Sequence, residues 1–278
     1  MKNLKGKIAA VTGAASGLGR SMALAFAGEG MHVALADVDQ AGLKDTEAAL
    51  QKLGIRTIAV KVDVSRAQDV EAFRDRILSE LGGIHLVCNN AGVSPLGAAW
   101  ELSAADWQWI LGVNLWGVIH GVRAFAPHLM AQDEGHIVNT ASVSGLISPP
   151  GSSAYNVTKH AVVTLSETLH HELRERNSAV GVSVLCPAYV PTRITEPERN
   201  RPKGVVSEKS KETLAREAML KKAVASGKVS ADQVAQAVVA AVKEERFYIL
   251  THPRIKGAIQ ARMEDILQGR APRNPMAL

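Results

Sequence analysis

A tyrosine and a lysine four positions apart could together transfer protons. In the stretch Tyr155-Asn156-Val157-Thr158-Lys159, the phenol and the ammonium lie at positions i and i+4, which share one face of a helix. An unperturbed tyrosine has a pKa of about 10 and is a poor acid or base at neutral pH. A nearby cation favours the phenolate, so we expect Lys159 to lower the pKa of Tyr155. The pair predicts general acid–base catalysis, although such a spacing also arises by chance.

Two more polar residues accompany this pair. Ser142 follows a predicted strand, thirteen residues before Tyr155; its hydroxyl could donate a hydrogen bond to a substrate oxygen or only cap the strand end. Asn114 falls in the middle of a predicted helix, where asparagine competes for backbone hydrogen bonds. It indicates either a tolerated polar side chain or a local distortion that holds a water molecule.

A glycine-rich turn follows the first predicted strand. The stretch Thr12-Gly13-Ala14-Ala15-Ser16-Gly17-Leu18-Gly19 has the spacing GxxxGxG rather than the GxGxxG of the dinucleotide fingerprint. Glycines let a diphosphate approach the backbone, and the next helix offers free N–H groups and a positive dipole. A turn in this position predicts a dinucleotide site, with a plain tight turn as the alternative. The residues expected to bind there are Gly13, Ser16, Gly17, Leu18 and Gly19.

Two aspartates follow the next predicted strands. Asp37 ends the second strand, where a carboxylate accepts both ribose hydroxyls of an adenosine and repels a 2′-phosphate. Thr12 to Gly19 contains no Lys or Arg that would neutralise that phosphate. We therefore expect NAD, with NADP disfavoured; the alternative is that Asp37 only begins a helix. Asp63 could hold the adenine amine or be a surface loop acid.

These residues fall on a regular alternation of strands and helices. Such alternation predicts right-handed crossovers and a central parallel sheet with helices on both faces. We therefore predict an α/β, doubly wound Rossmann fold with residues 1–278 in a single domain. Residues 193–230 interrupt it as an insertion that we expect to be a substrate loop or lid. The predicted strands are 8–12, 32–36, 55–61, 84–88, 136–140, 180–186 and 247–250; the predicted helices are 18–28, 40–53, 67–81, 103–130, 153–177 and 231–243, with a polar helical segment before the last of these.

Composition excludes several other classes of protein. The net charge of +5 lies entirely within residues 193–230, which contain ten Lys or Arg, five Asp or Glu and no aromatic residue. A basic segment without aromatic side chains to stack on bases argues against nucleic-acid binding. No apolar run is long enough to span a membrane, and the basic N-terminus lacks the apolar region of a secretory signal. Two cysteines, predicted to be reduced core thiols, indicate a cytoplasmic protein, and no residue cluster has metal-ligand spacing.

Taken together, the motifs resemble the short-chain dehydrogenase/reductase family, in the branch with TGxxxGxG and YxxxK motifs. They occur in the family's order over residues 6–192. The matching positions are Thr12-Gly13-x-x-x-Gly17-x-Gly19, Asp63-Val64, Asn89-Asn90-Ala91-Gly92, Asn114, Ser142, Tyr155-x-x-x-Lys159 and the stretch from Pro187 to Thr192.

The resemblance implies a role for each residue. Tyr155 would be the general acid/base, Lys159 would bind the nicotinamide ribose, Ser142 would orient the substrate oxygen and Asn114 would hold a water for a proton relay. Asp63 and Val64 would contact the adenine, and the adenosine side would be lined by Asn89, Ala91 and Gly92. Pro187, Val190 and Thr192 would hold the nicotinamide. Where the family usually has Pro-Gly, this chain has Pro187-Ala188, so we expect a slightly different backbone there. The resemblance also implies a homotetramer or homodimer that uses the helix after Tyr155 and the last strand.

The substrate is predicted only by class. We expect the pocket to be built by residues 94–96, 144–150, Tyr189 and 193–230, which are mostly apolar before the basic segment. This composition favours an NAD-dependent interconversion of a secondary alcohol and a ketone on an apolar, aromatic or alicyclic small molecule. One alternative is an NADPH-dependent β-ketoacyl-type reductase whose basic segment docks an acidic carrier. Another is a catalytically silent, NAD-sensing binding module, which would have no need of Asn114, Ser142, Tyr155 and Lys159 together.

Overall fold

All strands of the described chain lie in one parallel sheet. The computed structural model describes residues 1–205 and 208–277, and within these ranges the sheet has seven strands in the order β3-β2-β1-β4-β5-β6-β7. The strands are β1 Ile8–Thr12, β2 His32–Asp37, β3 Thr57–Lys61, β4 Leu86–Asn89, β5 His136–Thr140, β6 Gly181–Leu185 and β7 Tyr248–Ile249. The strand order reverses between β1 and β4, so the carboxyl ends of these two strands flank the crevice where such sheets bind ligands. The predicted α/β Rossmann fold is confirmed.

Helices cover both faces of the sheet. They are α1 Gly17–Gly28, α2 Gln40–Gln51, α3 Ala67–Leu81, α4 Ala104–Leu111, α5 Gly117–Ala131, α6 Ser153–Glu175, α7 Lys211–Ala225, α8 Ala231–Glu244 and α9 Ile255–Leu267. On one face Phe26 of α1 and Val238 of α8 belong to the same buried cluster. On the other, the rings of Phe73 and Phe125 from α3 and α5 meet edge to face at 6.3 Å. Burial of each such ring stabilises the fold by roughly 1.5–3 kcal/mol.

The central strands are apolar along their whole length because both faces are covered. All five residues of β1 are buried, from Ile8 to Thr12, as a parallel strand between two layers requires. Ala10 of β1 pairs with Ala34 of β2 and with Val87 of β4. Polar residues end these strands, Thr12 in β1, Asp37 in β2 and Asn89 in β4, so they collect at one edge of the sheet.

The predicted helix over 103–130 is interrupted at Asn114. Ser103 caps α4 by accepting a hydrogen bond from the Asp106 amide at 3.1 Å, as the sequence predicts. A π-helical turn over Gly112–Trp116 then separates α4 from α5. Such turns insert one extra residue and are frequent at functional sites. The distorted alternative for Asn114 is therefore the one that the structure shows.

The segment 193–230 differs from its predicted orientation. It contains two short 3₁₀ turns, Arg193–Thr195 and Pro197–Asn200, and then α7; residues 206 and 207 lie outside the described part of the chain. We expected its apolar residues to face the pocket and its basic residues to face solvent. Instead Leu214 and Met219 are 52% and 72% exposed, whereas Arg201 is 10% exposed beside the buried Asp106. The expectation is therefore wrong for Leu214, Met219 and Arg201, the last of which pairs with the buried Asp106. Val224 is buried, and most other basic residues of the segment face solvent.

Three further features of the described chain bear on the expectations from the sequence. The helix α9 has no counterpart among the predicted elements, and its few buried residues explain the weak pattern: Ala261 and Asp265. Among the described residues, none of the helices combines the length and the apolar character needed to cross a bilayer. Cys88 and Cys186 are both buried free thiols.

Candidate active site

A cleft opens at the carboxyl edge of the sheet, above β1 and β4. Most of the predicted site residues line it. They are Gly13, Ser16, Gly17, Leu18, Asp37, Asp63, Val64, Ala91, Gly92, Ser142, Tyr155, Lys159, Pro187, Val190 and Thr192. The predicted residues that do not line it are Gly19, Asn89 and Asn114, and each of these has a supporting position described below.

The turn after β1 has the backbone that an anion needs. Gly13 and Gly17 have φ angles of +66° and +53°, which side chains rarely permit. A Cβ at Gly19 would lie 2.1 Å from the Gly13 carbonyl oxygen, so Gly19 closes the turn rather than lining the cleft. Ser16 precedes α1 but makes no capping hydrogen bond. The first N–H groups of α1 therefore remain open to an anionic ligand.

Asp37 is held in place by backbone amides at the rim of this turn. Its two carboxylate oxygens accept hydrogen bonds from the amides of Ala15 and Asp39, each at 3.0 Å. These bonds fix the carboxylate at the end of β2, facing the cleft. Asp63 is oriented by Ser65, whose amide and hydroxyl donate to one carboxylate oxygen at 3.0 and 2.7 Å. Both aspartates can accept hydrogen bonds from a nucleoside in the cleft.

Asn89 and Asn90 support the floor of the cleft. Asn89 is buried and donates to the Asn139 side chain at 2.9 Å, which joins β4 to β5. Asn90 lines the cleft, and its side chain donates to the Thr12 carbonyl at 2.9 Å. Asn90 was not among the predicted site residues, although it belongs to the same sequence motif. Its position between Asn89 and Ala91, which were both predicted, could have identified it.

Tyr155, Lys159 and Ser142 meet at the inner end of the cleft. The Lys159 ammonium lies 5.5 Å from the centre of the Tyr155 ring, on the same face of α6. It donates to the Thr140 carbonyl at the end of β5, at 2.9 Å. Ser142, two residues beyond β5, accepts from the Ser144 amide at 3.1 Å. One helix and one strand end thus bring all three functional groups together.

Burial controls the electrostatics of this group. It lowers the pKa of Lys159 from 10.5 to about 8, because an ammonium loses hydration there. Burial also raises the pKa of Tyr155, and the neighbouring Ser142 side chain opposes that change. The sequence predicted a lowered pKa for Tyr155 through Lys159, and the direction found is the opposite. The cause is burial, because a buried phenolate loses its hydration.

Asn114 joins three parts of the site from beneath. Its side-chain oxygen accepts from the Val93 amide at 2.8 Å, and its nitrogen donates to the Val93 carbonyl at 2.9 Å. The same nitrogen lies 3.3 Å from the Thr158 hydroxyl on α6. A Cβ at Gly92 would lie 3.4 Å from the Asn114 oxygen and 3.7 Å from the Lys159 nitrogen. Asn114 is therefore close to Lys159 without lining the cleft, and its role with water remains a prediction.

The outer wall of the cleft differs from the one predicted. Residues 94–96, 144–150 and Tyr189 are not among those that line it; Ser94 and Leu96 are buried in the fold. The wall comes from α4, from the π-helical turn and from the segment after β6. Of these three, only the segment after β6 was predicted to line the pocket. Its members include Trp109, Val113, Ile194, Pro197, Arg199 and Pro202. No local sequence pattern marks such residues, because they approach the cleft only through the fold.

Comparisons with known proteins agree with this geometry. The short chain dehydrogenase family profile matches residues 7–203. Over the full length of both chains, the protein is 48% identical to a short chain dehydrogenase/reductase from Burkholderia phymatum crystallised in complex with NAD, with a TM-score of 0.97. It is 33% identical to a CLA biosynthesis dehydrogenase/reductase of Lactiplantibacillus plantarum, over 98% of this chain and 97% of that protein. It is also 33% identical to a 1-deoxy-11-beta-hydroxypentalenate dehydrogenase of Streptomyces exfoliatus, over 95% and 90%. The chain therefore belongs to the short-chain dehydrogenase/reductase family of oxidoreductases.

Proposed function

We propose that the protein is an NAD-dependent oxidoreductase that interconverts a secondary alcohol and a ketone. The observation that carries this proposal is the convergence of Tyr155, Lys159 and Ser142 at the inner end of a cleft whose outer end holds Asp37. The residues present fit a nicotinamide dinucleotide. The left-handed glycines of the turn leave room for a diphosphate, and the open N-terminus of α1 would attract it.

In this proposal the chain's own residues hold the substrate and move its proton. The Ser142 hydroxyl orients the substrate oxygen. The Tyr155 phenolate accepts the proton when an alcohol is oxidised, and the Tyr155 hydroxyl returns it when a ketone is reduced. The Lys159 ammonium favours the phenolate and would hold the nicotinamide ribose. A bound nicotinamide supplies or accepts the hydride. Apolar wall residues, including Trp109, Val113 and Ile194, exclude water around the reacting atoms.

The substrate is proposed to be an apolar, aromatic or alicyclic small molecule. Trp109, Val93, Val113 and Ala188 give the cleft an apolar surface, which favours such a molecule over a charged one. One similar protein, from Streptomyces exfoliatus, is named for the oxidation of a hydroxypentalenate. From that name we take one feature for the proposed substrate of this protein, a hydroxyl group on a carbon skeleton.

The preference for NAD rests on Asp37. Its carboxylate faces the cleft at the end of β2 and would lie against a 2′-phosphate, which costs binding energy through like-charge repulsion. The relative from Burkholderia phymatum was crystallised with NAD. An NADPH-dependent β-ketoacyl-type reductase is a second candidate, and Arg199 near Ser16 favours it by bringing a cation to the same end of the cleft.

The test is a panel of secondary alcohols and ketones assayed with each cofactor. We expect turnover of at least one alcohol with NAD, at a higher kcat/KM than with NADP. Replacing Asp37 with Ser should narrow that preference, because the repulsion is removed. The exposed Asp45 on α2 provides the control, and D45S should keep the wild-type preference. Equal efficiency with both cofactors in the wild type would contradict the NAD proposal; absence of any turnover would favour the silent binding module.

A further inference from the structure

Arg199 lies across the mouth of the cleft. It belongs to the 3₁₀ turn Pro197–Asn200, in the segment after β6. One guanidinium nitrogen donates to the Ser16 hydroxyl at 3.3 Å, and another lies 3.6 Å from an Asp39 carboxylate oxygen. Ser16 and Asp39 are on the loops after β1 and β2. A single side chain thus joins the outer wall of the cleft to both loops of the opposite wall.

The surroundings of Arg199 leave it able to bind an anion. Its guanidinium is always charged and has five N–H donors, of which the contact with Ser16 uses one. Asp39 is close enough to offset part of the charge, but at 3.6 Å it is too far to accept a hydrogen bond. The side chain is 25% exposed and lines the cleft. Unused donors are therefore available next to the N-terminus of α1.

Other cations lie near Arg199. A groove that continues outward from the cleft is lined by more basic than acidic side chains: Lys61, Arg66, Arg193, Arg199, Arg201 and Lys203 against Asp39, Asp63 and Asp69. Several of these cations already have carboxylate partners, since Arg66 pairs with Asp69, Arg193 with Glu196, and Arg201 with Asp106 and Glu198. Arg199 is distinguished from the rest by its contact with Ser16 in the glycine-rich turn.

We propose that Arg199 is a cofactor-retaining residue that binds the diphosphate of the nicotinamide dinucleotide. The proposal rests on the proposed function, since it assumes that this ligand occupies the cleft. Arg199 contacts Ser16 directly before α1, so its free donors would hold the diphosphate together with the first N–H groups of α1. Guanidinium–phosphate hydrogen bonds are charge-assisted and strong. The contacts of Arg199 with Ser16 and Asp39 would then help to retain the cofactor in the cleft. Release of the cofactor then requires Arg199 to move away.

The test compares R199A and R199K with the wild type and with R74A. Arg74 on α3 is a matched control, since it is 29% exposed, also ion-paired and distant from the cleft. ADP-ribose and NADH are the probes, titrated by calorimetry and followed by stopped-flow fluorescence. We expect R199A to raise the Kd of both probes by the same factor, about ten-fold, mainly through faster dissociation. R199K should recover part of the loss, because lysine keeps the charge but not the fork of donors. R74A should bind like the wild type.

Salt dependence separates anion binding from a purely structural role. If Arg199 contacts the diphosphate, added KCl should weaken ADP-ribose binding less in R199A than in the wild type, because a charge–charge contact has been removed. Binding within two-fold of the wild type in R199A would overturn the proposal. Weaker binding with an unchanged salt dependence would also overturn it, since that result means only that the wall has loosened. If the wild type binds neither probe, the proposed function itself fails.

Discussion

Tyr155 combines a proton-transferring hydroxyl with a ring that packs against the cleft. The hydroxyl has Ser142 as its polar neighbour, and the ring faces the Lys159 ammonium. Because burial raises the pKa of Tyr155, its hydroxyl holds its proton at neutral pH, as the acid form of a general acid/base does. The two functions of this side chain, packing and proton transfer, can therefore be separated by removing the oxygen alone.

Replacing Tyr155 with Phe should abolish most turnover without preventing cofactor binding. General acid–base catalysis contributes about 10²–10⁴-fold, so we expect kcat to fall by that factor, while the Kd for NAD stays within a few-fold. Steady-state kinetics and calorimetry measure the two quantities. Y248F is the control, since Tyr248 contacts Glu167 on the far side of α6. Activity of Y155F within a few-fold of the wild type would remove Tyr155 from the mechanism.

The buried ammonium of Lys159 should lower the free energy of unfolding at neutral pH. Its pKa is about 8 in the folded protein and 10.5 as the unperturbed value, so burial of the charged ammonium costs free energy below pH 8. Between these two values the folded state releases the proton first, and the free energy of unfolding rises with pH. Replacing Lys159 with Met removes this cost, although the Thr140 carbonyl then loses its donor.

We therefore expect K159M to unfold with a free energy about 2 kcal/mol higher than the wild type at pH 7. The difference should shrink as pH rises from 8 toward 10, and K159M should lose both turnover and NAD affinity. Urea denaturation at several pH values measures the first effect. The exposed Lys44 gives the control variant K44M, for which we expect no such trend. A difference that stays constant from pH 7 to 10 would contradict the assigned cost.

The sequence predicted the residues at the inner end of the cleft better than those at its mouth. Tyr155, Lys159 and Ser142 are close together because α6 and the end of β5 fix their separation, and the sequence spacing reflects that. Arg199 reaches Ser16 across 183 positions of chain. No local pattern predicts such an approach, because it depends on how the segment after β6 folds back over the cleft.

At the scale of elements, most strands and helices were predicted within a few residues of their ends. The exceptions are α9, which has no predicted counterpart, and the single helix predicted over 103–130. There a π-helical turn adds one residue without changing the apolar pattern enough to be detected. Asn114 was the one local signal for it, as a poor helix former in mid-helix. Its hydrogen bonds with Val93 show why the turn is tolerated, since they hold the loop after β4 against it.

The segment 193–230 is held in two different ways. Its first part is anchored, because Arg201 pairs with the buried Asp106 and stacks on Trp109 at 4.7 Å. Its helix α7 buries little, with Thr213 and Val224 as its buried residues. Weakly packed elements beside an active site have low local stability. We therefore propose that α7, rather than the whole segment, is the mobile part of a lid.

Hydrogen exchange can test this lid. Amides of residues 211–225 should exchange readily in the free enzyme and gain protection with NAD plus a substrate analogue. The amides of α8, which buries Val234, Val238 and Val242, should be protected in both states. Equal protection of α7 in both states would instead show a rigid excursion, held by the contacts of Thr213 with Glu101 and of Arg216 with Pro150.

At the scale of the whole molecule, the sequence predicted the architecture because strand and helix signals alternate throughout. Parallel pairing and right-handed crossovers then leave few arrangements of the sheet. The sequence could not predict which outer residues face solvent and which face another chain. Val157 on α6 is 50% exposed and Tyr248 on β7 is 44% exposed, and the contact of Tyr248 with Glu167 places β7 against α6.

This face is where we expect copies of the chain to associate. The family resemblance implies a homodimer or homotetramer built on the helix after Tyr155 and on the last strand, and exposed apolar residues at an association surface bury area when copies meet.

Replacing Val157 with Asp would place an unpaired carboxylate in that surface, and its loss of hydration is costly. We expect the wild type to sediment as a dimer or tetramer at micromolar concentration and V157D to shift toward a lower mass. Leu53 is 49% exposed just beyond α2, so L53D is a control of equal exposure that should keep the wild-type mass. A monomeric wild type, or a V157D variant with unchanged mass and unchanged circular dichroism, would place the association surface elsewhere.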